Sequence, residues 1–375
     1  MLLRIRQCRY IIVFVCLILL STMIACSGNE DRDTMAAETE TQHAGEWGYI
    51  DRTGNMVIEP QFDCAWNFSE GLAPVNVGRQ LGYIDWRGNL VIEPQFAYWQ
   101  VEPFPKDRQY GDHDIYFYDG YARILKDGKY GFIDSNGNVA IEPVFDQAMH
   151  FSDGLAPVLI DGKWGFIDTN GYLAIEAQFS GAEPFSDELA LFWNEDGIGF
   201  IDTSGNVVIE PRFQEAGWFS EGRVVVTIRE GSGDLVWGYI DAEGGWAVGP
   251  EIFTGEHLMI HQRYFSEGLA RFQNGYVDRD GNTVIEGGGY PFSEGFALAA
   301  TPDEDGSLRY GFIDREGNWV IEPRFEFADN FSEGLALVKV DGKYGFIDES
   351  GEFVIEPVYS NALSFSEGLA PVKVR

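Results

Sequence analysis

The chain has 375 residues, 26 Lys+Arg against 60 Asp+Glu, and a formal net charge of −34. So acidic a surface repels phosphate backbones, which argues against a nucleic-acid partner. Forty-five Gly, 10 Trp, 17 Tyr and 28 Phe, with alternating Val and Ile in place of helical Ala/Leu/Lys spacing, predict an almost all-β body of short strands and tight turns.

In chain order, Arg4, Arg6 and Arg9 precede the apolar run YIIVFVCLILLSTMIAC, which ends in small residues and a cysteine. A charged start before a short greasy core describes a secretory signal peptide over residues 1–25, and no later apolar stretch is long enough to cross a bilayer. The tetrad Met23-Ile24-Ala25-Cys26 resembles the lipobox of bacterial lipoproteins, which implies that Cys26 is acylated and becomes the mature N-terminus. Cys8 and Cys16 would leave with the signal, so Cys64 is expected to be an inert, half-buried thiol without a disulfide partner. Residues 26–45 read as the lipidated cysteine and a disordered acidic tether with an end-to-end distance on the order of 25 Å.

From residue 46 to the end one phrase recurs nine times, led by Gly48, Gly82, Gly131, Gly165, Gly199, Gly238, Gly275, Gly311 and Gly345. The basic interval is 34 residues, as between Gly131 and Gly165, and the longer intervals are insertions in loops. Each unit has an aromatic-glycine strand (Trp164–Asp168), a short turn closing on glycine (Thr169–Gly171) and an aliphatic strand (Leu173–Glu176). An irregular link follows, ending in Phe-Ser-Asp/Glu before a third strand such as Gly154–Ile160. In Trp164-Gly-Phe-Ile-Asp168 the bare glycine leaves room for a bulky neighbour or a close backbone. In the Asp-x-x-Gly turn, Asp accepts from amides two residues on and Gly supplies the positive φ. The Phe of Phe-Ser-Glu, present in eight units from Phe68 to Phe365, is expected to plug the seam between successive units. The unit therefore reads as a three-stranded antiparallel meander, and nine of them as an open twisted solenoid in which each unit covers its neighbour. The alternative is a closed, propeller-like ring in which the last strand, GLAPVKVR, pairs with Trp47–Asp51 and removes both edges.

KWGFIDTNG, KYGFIDSNGNVAIEPVFDQA and FSEGLAPV resemble the WG-repeat family, named for its Trp-Gly pair, over essentially all of 46–375. Leu81, Ile198 and Asn274 depart from its aromatic before Gly, and the copy at Gly275–Leu308 has lost most of its link. The resemblance implies an interaction role and brings no catalytic residue with it.

The candidate chemistry is thin. The series Asp51 to Asp348, with Glu59 to Glu356, invites a calcium ladder, but no segment reproduces a calcium loop and turn chemistry explains each Asp. His257 and His261 have i, i+4 spacing without a third ligand, and no nucleophile elbow, phosphate loop or CxxC occurs. No metal or cofactor is expected. The insert PKDRQYGDHDIYFYD between Phe104 and Gly120 is the largest irregularity. Its Tyr110, Tyr116, Phe117 and Tyr118 are candidates to stack on a ligand, with Asp112 and Asp114 accepting hydrogen bonds; alternatively the insert folds back and buries its rings. The sequence thus reads as a noncatalytic, exported lipoprotein scaffold, anchored in the cell or outer membrane with its repeats outside the cytoplasm. Its expected partner is an envelope or extracellular protein. The alternative is a module binding glycan or cell-wall polymer, or a wall hydrolase.

Overall fold

The structure is a computed structural model and describes residues 46–97, 115–231, 233–252, 260 and 263–374. The signal segment, Cys26, the tether, Tyr110, Asp112, Asp114, His257 and His261 lie outside them.

Alternating apolar positions and Gly-closed turns give short antiparallel strands, as expected, but neither the strand number nor the open ends hold. The described strands form nine sheets. A regular sheet, here blade 4, runs Gln147–Ala148, Leu155–Ile160, Lys163–Asp168 and Leu173–Phe179, each paired with the next. The residues read as an irregular link thus contain a fourth strand two residues long, Gln147 pairing with Leu159 and Ala148 with Val158. One residue, Asp146, separates it from the last strand of the preceding blade, and this economy fits four strands into 34 residues. Blade 3 (Tyr121–Phe145) and blade 7 (Leu269–Glu286) show three strands among the described residues; the other seven show four.

Nor is the array open. Blade 1 is made from both ends of the chain: Asn361–Ala362 and Leu369–Lys373 pair with Trp47–Asp51 and Met56–Phe62. Trp47 faces Lys373 and Asp51 faces Leu369, which is the pairing of the closed-ring alternative. The open solenoid is overturned: the molecule is a closed nine-bladed β-propeller. An open array would leave the first and last units with bare apolar faces and unpaired edges, and closure removes both.

The repeated residues now acquire their reasons. A Cβ on Gly165 would lie 2.7 Å from the Ile175 carbonyl oxygen, and all nine repeat glycines meet the carbonyl of the matching Ile or Val in the next strand. The glycine is there because that strand bulges against it, as the register shifts around Phe166 show. Each Asp-x-x-Gly turn rests on the preceding blade: Gly171 on Ile141, Gly205 on Ile175, and across the chain ends Gly54 on Ile355. In seven blades the aliphatic last strand, equivalent to Leu173–Phe179, carries a proline, as at Pro143 and Pro323. That strand is a sheet edge, and proline withholds an amide that would otherwise invite another strand.

Phe of the Phe-Ser-acid motif fills the seams as expected. Phe185 stacks on Phe166 of the preceding blade at 5.1 Å, Phe219 on Phe200 at 4.9 Å and Phe68 on Tyr49 at 5.3 Å. Such pairs contribute roughly 0.5–1.5 kcal/mol each beyond their burial. The Cys64 side chain is 8% exposed, buried where a half-buried position was expected.

Candidate functional site

Phe-Ser-acid-Gly builds the most regular surface of the ring. In Phe68-Ser69-Glu70-Gly71-Leu72, Ser69 and Leu72 exchange backbone bonds of 2.9 and 3.2 Å. Glu70 and Gly71 both have positive φ, 53° and 82°, as a two-residue hairpin of the primed type requires. Leu155, which follows such a hairpin, pairs with Asp168, which opens the Asp-x-x-Gly turn. Hairpin and turn therefore lie at the same end of every blade, and one face of the ring collects both sets of carboxylates.

The hairpin serine and acid reach across the seam. Ser152 Oγ donates to the Phe185 carbonyl at 2.7 Å, Ser186 to Phe219 at 2.7 Å, and, across the chain ends, Ser366 to Phe68 at 2.8 Å. The acid accepts from the hairpin amide of the next blade. Glu70 takes Gly120, Asp119 takes Gly154, Asp153 takes Glu188, Asp187 takes Gly222 and Glu221 takes Gly268. Glu267 takes Gly295, Glu294 takes Gly334, Glu333 takes Gly368, and Glu367 returns to Gly71. The circuit is complete. A carboxylate accepting from a backbone amide is a charge-assisted bond, and here it recurs at every seam.

The Asp series is absorbed by the turns. Asp168 Oδ1 accepts from the amides of Asn170 and Tyr172, both at 2.9 Å, and Asp202 does the same with Ser204 and Asn206. The Tyr172 amide, above all, holds the Asp168 carboxyl below the usual carboxylate range. For Asp202 the Asn206 side chain is the main cause of the same downward shift. Among the described residues, no group of three or more His, Cys, Asp or Glu is placed to hold a metal ion.

The structure divides the candidate insert residues. Phe117 is 1% exposed and sits edge-on to Tyr83 at 5.0 Å, so it is core and meets no partner. Tyr116 packs, half-buried, against the same cluster, and Tyr118 lies over His150 at 4.5 Å. Phe117-Tyr118-Asp119-Gly120 is the ninth copy of the hairpin motif with Tyr in place of Ser, and these residues belong to the repeat rather than to the insert. The signal that reveals it is Asp119-Gly120 directly before a strand, the same phase as Asp153-Gly154. Tyr110, Asp112 and Asp114 are not among the described residues.

The arginines of this face were missed by the sequence reading. Arg279, second residue of the blade 7 turn, places Nη2 2.6 Å from Glu221 Oε2 of blade 6. Arg315 of blade 8 stands 3.6 Å from Glu267 Oε2 of blade 7 and donates to the Glu267 carbonyl. Arg52 of blade 1 reaches the Gly334 hairpin of blade 9, its Nη2 3.1 Å from where a Cβ would stand. Burial disfavours the charged form of Glu221, yet Arg279 and the Gly268 amide together hold its carboxyl below the ordinary range. At the next seam round, between blades 5 and 6, Ala242 occupies the arginine's place and a groove of about 510 Å³ opens. It is lined by Asp187, Glu188, Leu189, Asp202, Thr203, Val208, Ala242 and Glu243.

Ring and seams together define a repeat propeller in which each blade is completed by its neighbour. The family model for the WG containing repeat matches residues 47–79, 130–164, 164–192, 198–230, 310–344 and 344–375, more than half of the chain, and the chain belongs to that family. No curated protein matches it. Among solved structures it is similar to the WD40 domain of Toxoplasma gondii coronin (13% identity, 83% of this chain and 86% of that one, TM-score 0.29). A chain of a mitotic checkpoint complex is similar at 9% identity, 86% and 99% coverage and TM-score 0.32. The extracellular domain of the hybrid two component system BT4673 from B. thetaiotaomicron is similar at 12% identity, 76% and 39% coverage and TM-score 0.30. At these scores the ring rests on this chain's own strand pairing.

Proposed function

We propose that this protein is a lipid-anchored, noncatalytic scaffold at the bacterial cell envelope whose hairpin face binds another envelope or extracellular protein. One observation carries the reading: the same acid-to-amide bond at every seam holds the carboxylates of one face in a fixed circular array. The repeated acids are committed to turns and seams, which suits a rigid docking surface better than proton transfer. Family membership supports a repeat scaffold, and the lipobox-like Met23–Cys26 supports the anchor.

The test is photo-crosslinking in intact cells, with the crosslinker at Thr203 on the hairpin face or at Lys163 at the opposite end of a blade. A discrete protein adduct is expected from Thr203 only, and replacing Cys26 by Ala is expected to release the body from the membrane fraction. Adducts from Lys163 alone, or to wall glycan alone, would overturn the reading.

A further inference from the structure

We propose that the groove between blades 5 and 6 is a receptor for an arginine side chain presented by the partner protein. This rests on the scaffold reading and names the chemistry by which the face recognises its partner. The repeat supplies its own template. At the seam between blades 6 and 7, Glu221 Oε2 accepts from both the Gly268 amide and the Arg279 guanidinium. The equivalent carboxylate at the groove is Asp187, which already accepts from the Gly222 amide at 2.8 Å. The residue equivalent to Arg279 is Ala242, second in its Asp-x-x-Gly turn. What a guanidinium fills at one seam is open space at the next.

The lining matches what such a side chain needs. Asp187 and Glu188 stand on the hairpin, and Asp202 and Glu243 on the two flanking turns, all four acidic. Leu189, Val208 and Ala242 give an apolar wall for the aliphatic stem, while the planar head meets a carboxylate fixed by its amide bond. Two of the chain's own arginines flank the groove, and each is bound to a backbone carbonyl rather than to Asp187: Arg212 donates to Gly244 at 2.6 Å and Arg223 to Gly222 at 2.9 Å. Ser135, Thr169, Thr203 and Ala242 hold the arginine position at four consecutive seams, where the equivalent hairpin acids are Glu70, Asp119, Asp153 and Asp187. Arg52, Arg279 and Arg315 stand in the opposite sector. An exposed ion pair is weak by itself, so the arginine gives direction and register rather than high affinity.

The experiment titrates the full chain in detergent with N-acetyl-arginine amide and follows backbone amide NMR shifts, using N-acetyl-citrulline amide as the neutral isostere. Saturable shifts are expected at Gly222, Ala242 and Glu243, with none at Gly268, whose seam is already filled, and with citrulline inert. Ala242→Arg, which installs the sister seam's residue on an exposed turn, should weaken binding at least tenfold. Asp187→Asn, which keeps the amide acceptor and removes the charge, should do the same should the first variant fold poorly. Equal shifts with citrulline, shifts spread around the whole ring, or undiminished binding by both variants would overturn the proposal. Because no protein partner enters this titration, its failure would strike the groove alone and leave the crosslinking result to decide the scaffold reading.

Discussion

Two strand pairs in this ring have the same register and different covalent histories. In blade 4, Leu155–Ile160 turns through Asp161-Gly162 into Lys163–Asp168, pairing Leu155 with Asp168, Pro157 with Phe166 and Leu159 with Trp164. In blade 1 no turn joins the partners, yet Leu369 pairs with Asp51, Pro371 with Tyr49 and Lys373 with Trp47. The turn is replaced by a Lys373–Glu46 ion pair of 3.0 Å and a Val374 amide bond to the Glu46 carbonyl. Exchanging a two-residue loop for one that spans the whole ring costs roughly 4–5 kcal/mol in closure entropy. That the register survives shows that side-chain packing sets it, and that the turn only makes it cheaper.

The largest effect should come from removing the second strand of the closing blade. Ending the chain at Gly368 takes Leu369, Ala370 and Val372 out of the core and leaves Trp47–Asp51 without its partner, with burial losses of about 4–6 kcal/mol. We expect an opened ring with a larger radius in small-angle scattering and an early, separate unfolding phase in denaturant. Cutting the chain at the Asp161-Gly162 turn should instead leave an assembled ring, because it merely gives blade 4 the covalent state that blade 1 already has. A cut ring that falls apart would break the comparison.

A smaller effect tests the two sides at one atom. Gly165→Ala places a Cβ 2.7 Å from the Ile175 carbonyl oxygen, and Gly48→Ala places one closer still to that of Ile58. Each should cost roughly 1–3 kcal/mol, read as a shift of denaturant midpoint, because the bulged strand has to move. Similar losses at the two positions would confirm that the closing blade is packed as tightly as an interior one.

Much of this was legible in the sequence, for reasons the blades make plain. The 34-residue period, the Asp-x-x-Gly turns, the seam-filling Phe and the strand pair available for closure each leave a local mark in residue type and spacing. The fourth strand left none. Gln147–Ala148 is too short to alternate, and only its partner Leu155–Ile160 defines it as a strand. The hairpin acids were readable as turn residues but not as seam bonds, because the amide that Asp119 binds belongs to Gly154, a whole repeat away. The ninth hairpin hid behind one substitution, Tyr118 for Ser, at the end of an insert that drew attention to its rings. The arginine sector was equally invisible, since Arg279 and Ala242 look like free choices at one variable turn position until the seam shows what each faces.

The smallest effect is electrostatic, and its sign can be worked out. Hydrogen bonds hold both turn aspartates below the ordinary carboxylate range: the Thr53 hydroxyl is the main cause at Asp51, and the Tyr172 amide at Asp168. A folded-state pKa below the unfolded one means stability that is full above the unfolded value of about 3.9 and lost as pH falls through the folded one. The contribution should therefore be flat from neutral pH to about 5 and decline below about 4. Carboxyl-carbon NMR titration should place both groups low, and Asp168→Asn should remove part of the acid-side loss of stability while keeping an acceptor for the turn. The two sides diverge only if the uncrosslinked pair frays in acid. Asp51, at the end of the strand that pairs with Leu369–Lys373, would then drift back toward an ordinary carboxylate at a higher pH than Asp168, whose strand is tied by Asp161-Gly162. Coincident titration of the two would show that the closing blade holds as firmly as its covalently joined counterpart down to the pH at which the turns themselves let go.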